Sequence, residues 1–159
     1  MIGEMMTTKR RTVLALLTAV STILLSVALS ESPASAATIL NPHPTCPGGL
    51  IDTYGVNGPY VDGTVFLYYS SANSGTNCAW FQRSNNRGTP IYMYVHIMRC
   101  PAGASPGDIC TADQSDFDGD NFKYYAGAVQ VTGAASRCIR LAAGDNSGTV
   151  LFTHNVHCG

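Results

Sequence analysis

Six cysteines, Cys46, Cys78, Cys100, Cys110, Cys138 and Cys158, all lie downstream of a segment that reads as an export signal. An even set of cysteines in an exported chain predicts three disulfides. Those cross-links constrain the fold more than any other feature of the sequence. Zinc would need paired C-x-x-C or C-x-x-H spacings, and none occurs. A free-thiol nucleophile is disfavoured by the even count and by the oxidising compartment. Each bridge contributes on the order of 3 kcal/mol by restricting the unfolded chain. Which cysteine meets which stays open at this point.

The signal itself has three parts in order. Lys9-Arg10-Arg11 close a basic start, an apolar stretch runs from Thr12 to about Leu29, and Ser32-Pro33-Ala34-Ser35-Ala36 supplies a helix break and an A-x-A site. This predicts a signal peptide over 1–36 with cleavage after Ala36. The apolar stretch is long enough to suggest a retained anchor, but Pro33 and the small residues after it argue for removal. No stable membrane insertion is expected after cleavage.

Residues 37–159 then form a single secreted domain of 123 residues, enough to bury a real core. It carries six cations and eight acids, a formal charge of −2. A near-neutral chain with no basic stripe argues against nucleic acid or an anionic membrane as partner. Only Lys123 remains among the lysines, so the exterior must be built from Ser, Thr, Asn, Gly and Tyr.

Helical periodicity is nearly absent past the signal. Short apolar runs rich in β-branched and aromatic residues recur instead: Thr64–Tyr69, Cys78–Gln82, Ile91–Met98, Phe122–Tyr125, Ala128–Val131, Cys138–Leu141 and Thr149–Thr153. Clusters of Gly, Asn, Ser and Asp separate them, including 70–77, 84–90 and 143–148. These tolerate positive φ and read as turns. The pattern predicts an all-β domain, a compact antiparallel barrel or sandwich of about six to eight short strands stabilised by disulfides. Residues 38–49, with Pro42, Pro44 and Pro47, read as an extended lead-in pinned by Cys46.

Asp116-Phe117-Asp118-Gly119-Asp120-Asn121 matches the opening of a calcium loop, where alternate carboxylates converge on one cation. The twelfth position holds Gly127 rather than a bidentate Glu, and no helices flank the motif. The expectation is a solvated acidic turn, with Asp116, Asp118 and Asp120 as calcium candidates lacking their closing ligand. His154 and His157, three apart on an extended chain, would face opposite ways and share no metal. No G-x-S-x-G occurs, and residues 37–159 contain no Glu for glycoside chemistry. No catalytic, cofactor-binding or metal residue is therefore assigned, and the chain is not expected to be an enzyme. Tyr92, Tyr94 and His96 alternate with Met93, Val95 and Ile97, so one strand face is aromatic. It could stack on sugar rings, but bulky residues on both faces favour burial under a neighbouring loop or strand.

A recognisable order of short motifs runs through the chain: Gly63-Thr64-Val65-Phe66-Leu67-Tyr68-Tyr69, Asn77-Cys78-Ala79, Gly88-Thr89-Pro90 with Met93, Tyr124-Tyr125-Ala126-Gly127-Ala128-Val129, Cys138-Ile139 and His157-Cys158-Gly159. In this order the chain resembles the spore-associated protein A family of streptomycete-type actinobacteria, from Cys46 to Gly159. The family pattern has Pro where Ala128 stands and lacks Cys100 and Cys110. Two added cysteines at the ends of one Pro/Gly loop most simply bridge each other, leaving Cys46, Cys78, Cys138 and Cys158 with three possible pairings. Cys46 with Cys78 and Cys138 with Cys158 is the expected one. The resemblance implies no enzymatic activity, no cofactor and no catalytic residues. It implies a secreted protein of the spore or hyphal surface, in contact with cell-wall or spore-surface components and structural or binding in role. Two alternatives accompany it: a glycan-binding module using Tyr92 and Tyr94, or a protease inhibitor presenting the Cys100 to Cys110 loop. A small hydrolase built on Asp residues is a more distant third.

Overall fold

The first strands form where β-branched and aromatic residues alternate. In β2 (Asp62–Ser70), Val65 and Leu67 turn to one side and Phe66 to the other, and all three are fully buried. The computed structural model describes residues 37–159; the export signal and its cleavage site lie outside the described residues. Two four-stranded antiparallel sheets pack as a sandwich. One has the order β1-β2-β3-β6, the other β5-β4-β7-β8. The remaining strands are β1 (Gly49–Asn57), β3 (Thr76–Arg83), β4 (Ile91–Arg99), β5 (Gln114–Phe122), β6 (Tyr125–Thr132), β7 (Ile139–Asp145) and β8 (Gly148–Phe152). The sheets are not closed into a barrel, so of the two expected architectures the sandwich is the one formed.

The core lies between the sheets. Val65, Leu67, Ala79, Phe81, Val129 and Val131 from the first sheet meet Met93, Val95, Ile97, Ile139, Leu141 and Ala143 from the second, every one of them buried. Burial of this kind stabilises by roughly 25 cal/mol per Å² of apolar surface. The bridges are Cys46–Cys78, Cys100–Cys110 and Cys138–Cys158, and among the described residues no cysteine is free.

Two strands depart from the sequence reading. β1 begins at the last residue of the expected lead-in and otherwise covers residues for which no strand is expected, and β5 forms where an acidic turn is expected. Phe122–Tyr125, expected as a single strand-like run, is instead a turn between two strands: Phe122 ends β5 and Tyr125 opens β6, with Lys123 and Tyr124 between them. β5 is rich in Asp, Gly and Asn, poor strand formers, yet it pairs with β4 along its whole length, from Ile91↔Phe122 to Arg99↔Gln114. Its other side is also satisfied. Gln114, Asp116 and Asp118 alternate along the strand and accept the backbone N–H groups of Thr132 (3.1 Å), Gln130 (2.8 Å) and Gly127 (2.6 Å) on β6. Side-chain oxygens thus close the gap between two sheet edges, where a backbone ladder would otherwise run.

Candidate functional site

The outer faces of the two sheets are treated differently. On the first sheet, residues 38–46 lie over Phe66, Trp80 and Gln82. Gln82 accepts from Leu40 N (2.7 Å) and donates to Thr38 O (2.8 Å), His43 stacks on Trp80 at 5.7 Å, and the Cys46–Cys78 bridge fixes the segment. Phe66 and Trp80 stack at 4.5 Å and have no exposed surface.

The second sheet carries Tyr92, Tyr94 and His96 of β4 on its outer face, and no described segment covers them. The expected burial under a loop or strand is not what occurs: all three are half-buried, and Phe117 beside them is 52% exposed. Register explains the grouping. His96 stands opposite Phe117 of β5 and Ala142 of β7, while Tyr94 stands opposite Gly119 and Gly144. Tyr92 and Tyr94 lie 6.4 Å apart, Tyr94 and Phe117 5.6 Å, and His96 meets Phe117 edge-on at 5.7 Å. The glycines give the rings room to lie down. A Cβ at Gly144 would come within 2.8 Å of Tyr94 Cε1, and one at Gly119 within 2.6 Å of Phe117 Cζ. The Tyr94 hydroxyl donates to Thr149 Oγ1 of β8 at 2.5 Å, anchoring the ring at its far end. Phe152 of β8, 48% exposed, continues the strip, with the Arg140 guanidinium 4.2 Å from its centroid.

Among the described residues, the one formal charge against the strip is the Arg140 guanidinium at its Phe152 end, which is buried and donates to Cys110 O. Burial pulls the His96 imidazole below its ordinary value, Arg140 adds to that and Asp116 opposes it, so the ring is neutral near pH 7. Asp116 and Asp118 serve β6 rather than the strip. These acids sit in a strand and not in a turn, with alternate carboxylates already accepting backbone N–H groups. Among the described residues no group of three or more His, Cys, Asp or Glu is arranged to hold a metal ion.

The other histidines are separate. His154 Nδ1 reaches Gly107 O at 2.6 Å, while His157 Nε2 lies 3.1 Å from Asp52 Oδ2 and 3.3 Å from the Tyr54 hydroxyl. Burial raises the Asp52 carboxyl, but hydrogen bonds from Tyr54, Thr53 and His157 outweigh it and hold the group below the usual range. A cleft of about 630 Å³ lies beside this pair, lined by Ile51, Tyr69, Asn77, Ser136 and His157 among others. Among the described residues no hydrogen bond joins Ser136 to His157, so that hydroxyl is given no base. No family model, curated relative or solved structure matches the chain. Phe117, Phe152 and the seating glycines escape a sequence reading because they come from strands other than β4; the alternation of β4 was the only local signal.

Proposed function

We propose that this is an exported, surface-associated binding protein that holds a neutral cell-wall glycan on the outer face of its second sheet. The observation that carries the reading is the glycine-seated cluster of Tyr92, Tyr94, Phe117 and His96, contiguous on one sheet face, partly exposed and with no formal charge on any of its four rings. Sugar rings present C–H faces that pack on aromatic rings, and an exposed apolar patch on a small protein marks an interaction site. No charged side chain of the described residues stands among these four rings, and the Arg140 guanidinium at the Phe152 end is buried and already bonded to Cys110 O, which favours an uncharged polysaccharide over an acidic one. Three bridges suit an extracellular location, and among the described residues no helix is long and apolar enough to cross a membrane. The likeness to the spore-associated protein A family fits the same placement, on the spore or hyphal surface.

The test is retention on purified cell wall and on immobilised neutral polysaccharides, with Tyr94→Ala and Phe117→Ala beside the wild type. Loss of each ring is expected to weaken retention by about 5- to 10-fold, the scale of one aromatic contact. Retention that survives the double substitution, or no retention on any of these supports, would remove the glycan from this face.

A further inference from the structure

The segment between Cys100 and Cys110, Pro101-Ala102-Gly103-Ala104-Ser105-Pro106-Gly107-Asp108-Ile109, is exposed at every position except the half-buried Ala104. A loop of small residues and prolines is ordinarily mobile. Here it is braced from beneath chiefly by Asn155, which is only 3% exposed, beside the His154 contact to Gly107 O. The Asn155 backbone N–H donates to Asp108 O at 2.8 Å, and its carbonyl accepts from Gly107 N at 3.0 Å. Its side-chain amide donates to Ser105 O at 2.9 Å and accepts from Cys110 N at 3.1 Å. Two guanidiniums clamp the ends: Arg137 Nε donates to Cys100 O at 2.9 Å and Arg140 Nη1 to Cys110 O at 2.5 Å. The Cys100–Cys110 bridge joins those ends covalently. From this frame Ile109 projects with 62% of its surface in solvent.

We infer that this loop is a ready-made ligand for the substrate cleft of an extracellular endopeptidase, with Ile109 as the side chain that enters the enzyme's primary apolar pocket. This assignment does not rest on the glycan reading. Asp108 is the loop's one ionisable side chain, and the loop has no aromatic ring to act as an anchor. Affinity must therefore come from the Ile109 side chain and from the Ile109 N–H and carbonyl, which have no partner among the described residues, while the main-chain groups of Gly107, Asp108 and Cys110 on either side are held within the molecule. A peptide already held in one shape avoids most of the ordering cost of binding. A cut at any bond between Cys100 and Cys110 would also leave both new ends joined by the bridge, with Asn155 still holding several of their carbonyls and N–H groups. The enzyme would gain no released product.

The full chain, expressed for export and carrying its three bridges, is assayed against subtilisin, elastase, chymotrypsin and trypsin with small chromogenic substrates. Inhibition of subtilisin or elastase is expected, with the loop intact after hours of incubation. Ile109→Asp should weaken it by roughly 30-fold or more, as for a central anchor, and Ile109→Arg should transfer inhibition to trypsin. Both substitutions are at a solvent-facing position and leave the fold in place. Asn155→Ala, verified by intact mass and circular dichroism, should turn the inhibitor into a substrate cut between residues 100 and 110. No inhibition of any of the four enzymes, rapid cleavage of the wild-type loop, or inhibition indifferent to residue 109 would each overturn the assignment.

Discussion

Asp145→Asn is the substitution whose cost can be worked most directly from the structure. Asp145 ends β7 with 2% of its surface exposed. Its Oδ1 accepts from Ser147 N (2.8 Å) and Ser147 Oγ (2.6 Å), tying the β7–β8 turn. Its Oδ2 accepts from Tyr60 N (3.1 Å) and Val61 N (3.0 Å), which belong to the connector between β1 and β2. One carboxylate therefore joins the two sheets. Gly58 leaves it space, since a Cβ there would lie 2.6 Å from Oδ2. An amide keeps the shape but not the four acceptor directions. In the cheaper orientation its oxygen faces Tyr60 and Val61, its NH₂ faces Ser147, and the hydroxyl rotates to accept. Two charge-assisted bonds then become neutral, at about 1 kcal/mol each, and Ser147 N–H loses its partner for about 1–2 kcal/mol more. Easier burial of a neutral group returns some of this, leaving a net loss of roughly 2–3 kcal/mol. For a chain of this size that is a fall of about 10 °C in melting temperature.

The pH dependence has a definite sign. Burial raises the Asp145 carboxyl, but the Ser147 hydroxyl and the N–H groups of Ser147, Tyr60 and Val61 outweigh it, so the folded group titrates below the usual carboxylate range. A depressed folded value means the contribution is complete above the unfolded value, about 3.9, and disappears as pH falls through the folded one. Urea unfolding of both proteins, with bridges intact, should show the full gap at neutral pH and a narrowing gap in acid below about pH 4. A difference at neutral pH within about 0.5 kcal/mol, or one that stays constant into acid, would refute the staple.

Three further outcomes are expected. Asp118→Ala strips the acceptor from Gly127 N and should lower stability by about 1–2 kcal/mol in a denaturant titration. Millimolar calcium should leave the melting temperature of the wild type unchanged by scanning fluorimetry, because Asp116 and Asp118 already accept backbone N–H groups; a calcium-dependent rise would show otherwise. Replacing Cys46 and Cys78 together by Ala, which opens a loop spanning 32 positions, should cost about 3.7 kcal/mol against about 2.7 for Cys100 and Cys110, spanning 10. It should also shift Trp80 fluorescence to the red as the covering segment lifts.

The interior strands could be read in advance because runs such as Ile91–Met98 carry their own alternation, and β4 buries Met93, Val95 and Ile97 on the expected side. β5 could not, because its stability is not local. Gln114, Asp116 and Asp118 make sense as strand residues only once β6 presents three N–H groups to them. Phe117 is hidden by the same reading of β5 as a turn, although it is the ring that both Tyr94 and His96 contact. Burial was expected there on the bulk of Tyr92 and Tyr94, but cover depends on what stands across the sheet, and Gly119 and Gly144 are too small to supply any. Asn155 has no signature at all: one Asn between His154 and Val156 becomes a four-bond brace only after the chain returns beneath a loop that starts 54 positions earlier, at Pro101.

The contrast between the two outer faces bears on function. Phe66 and Trp80 show that this chain has a way to cover aromatic rings on a sheet exterior, using a proline-containing segment and a disulfide. It accepts a cost in doing so, since the Trp80 indole N–H is buried with no partner among the described residues. Tyr92, Tyr94 and Phe117 receive no such cover, yet they are not left to sway in solvent: glycines seat two of the rings and Thr149 pins the Tyr94 hydroxyl. Rings that are ordered but uncovered have already paid the entropy of fixation without receiving the full gain of burial. A ligand that completes the burial would collect that remaining gain at little further ordering cost, and this is the thermodynamic argument behind the proposed glycan-binding role.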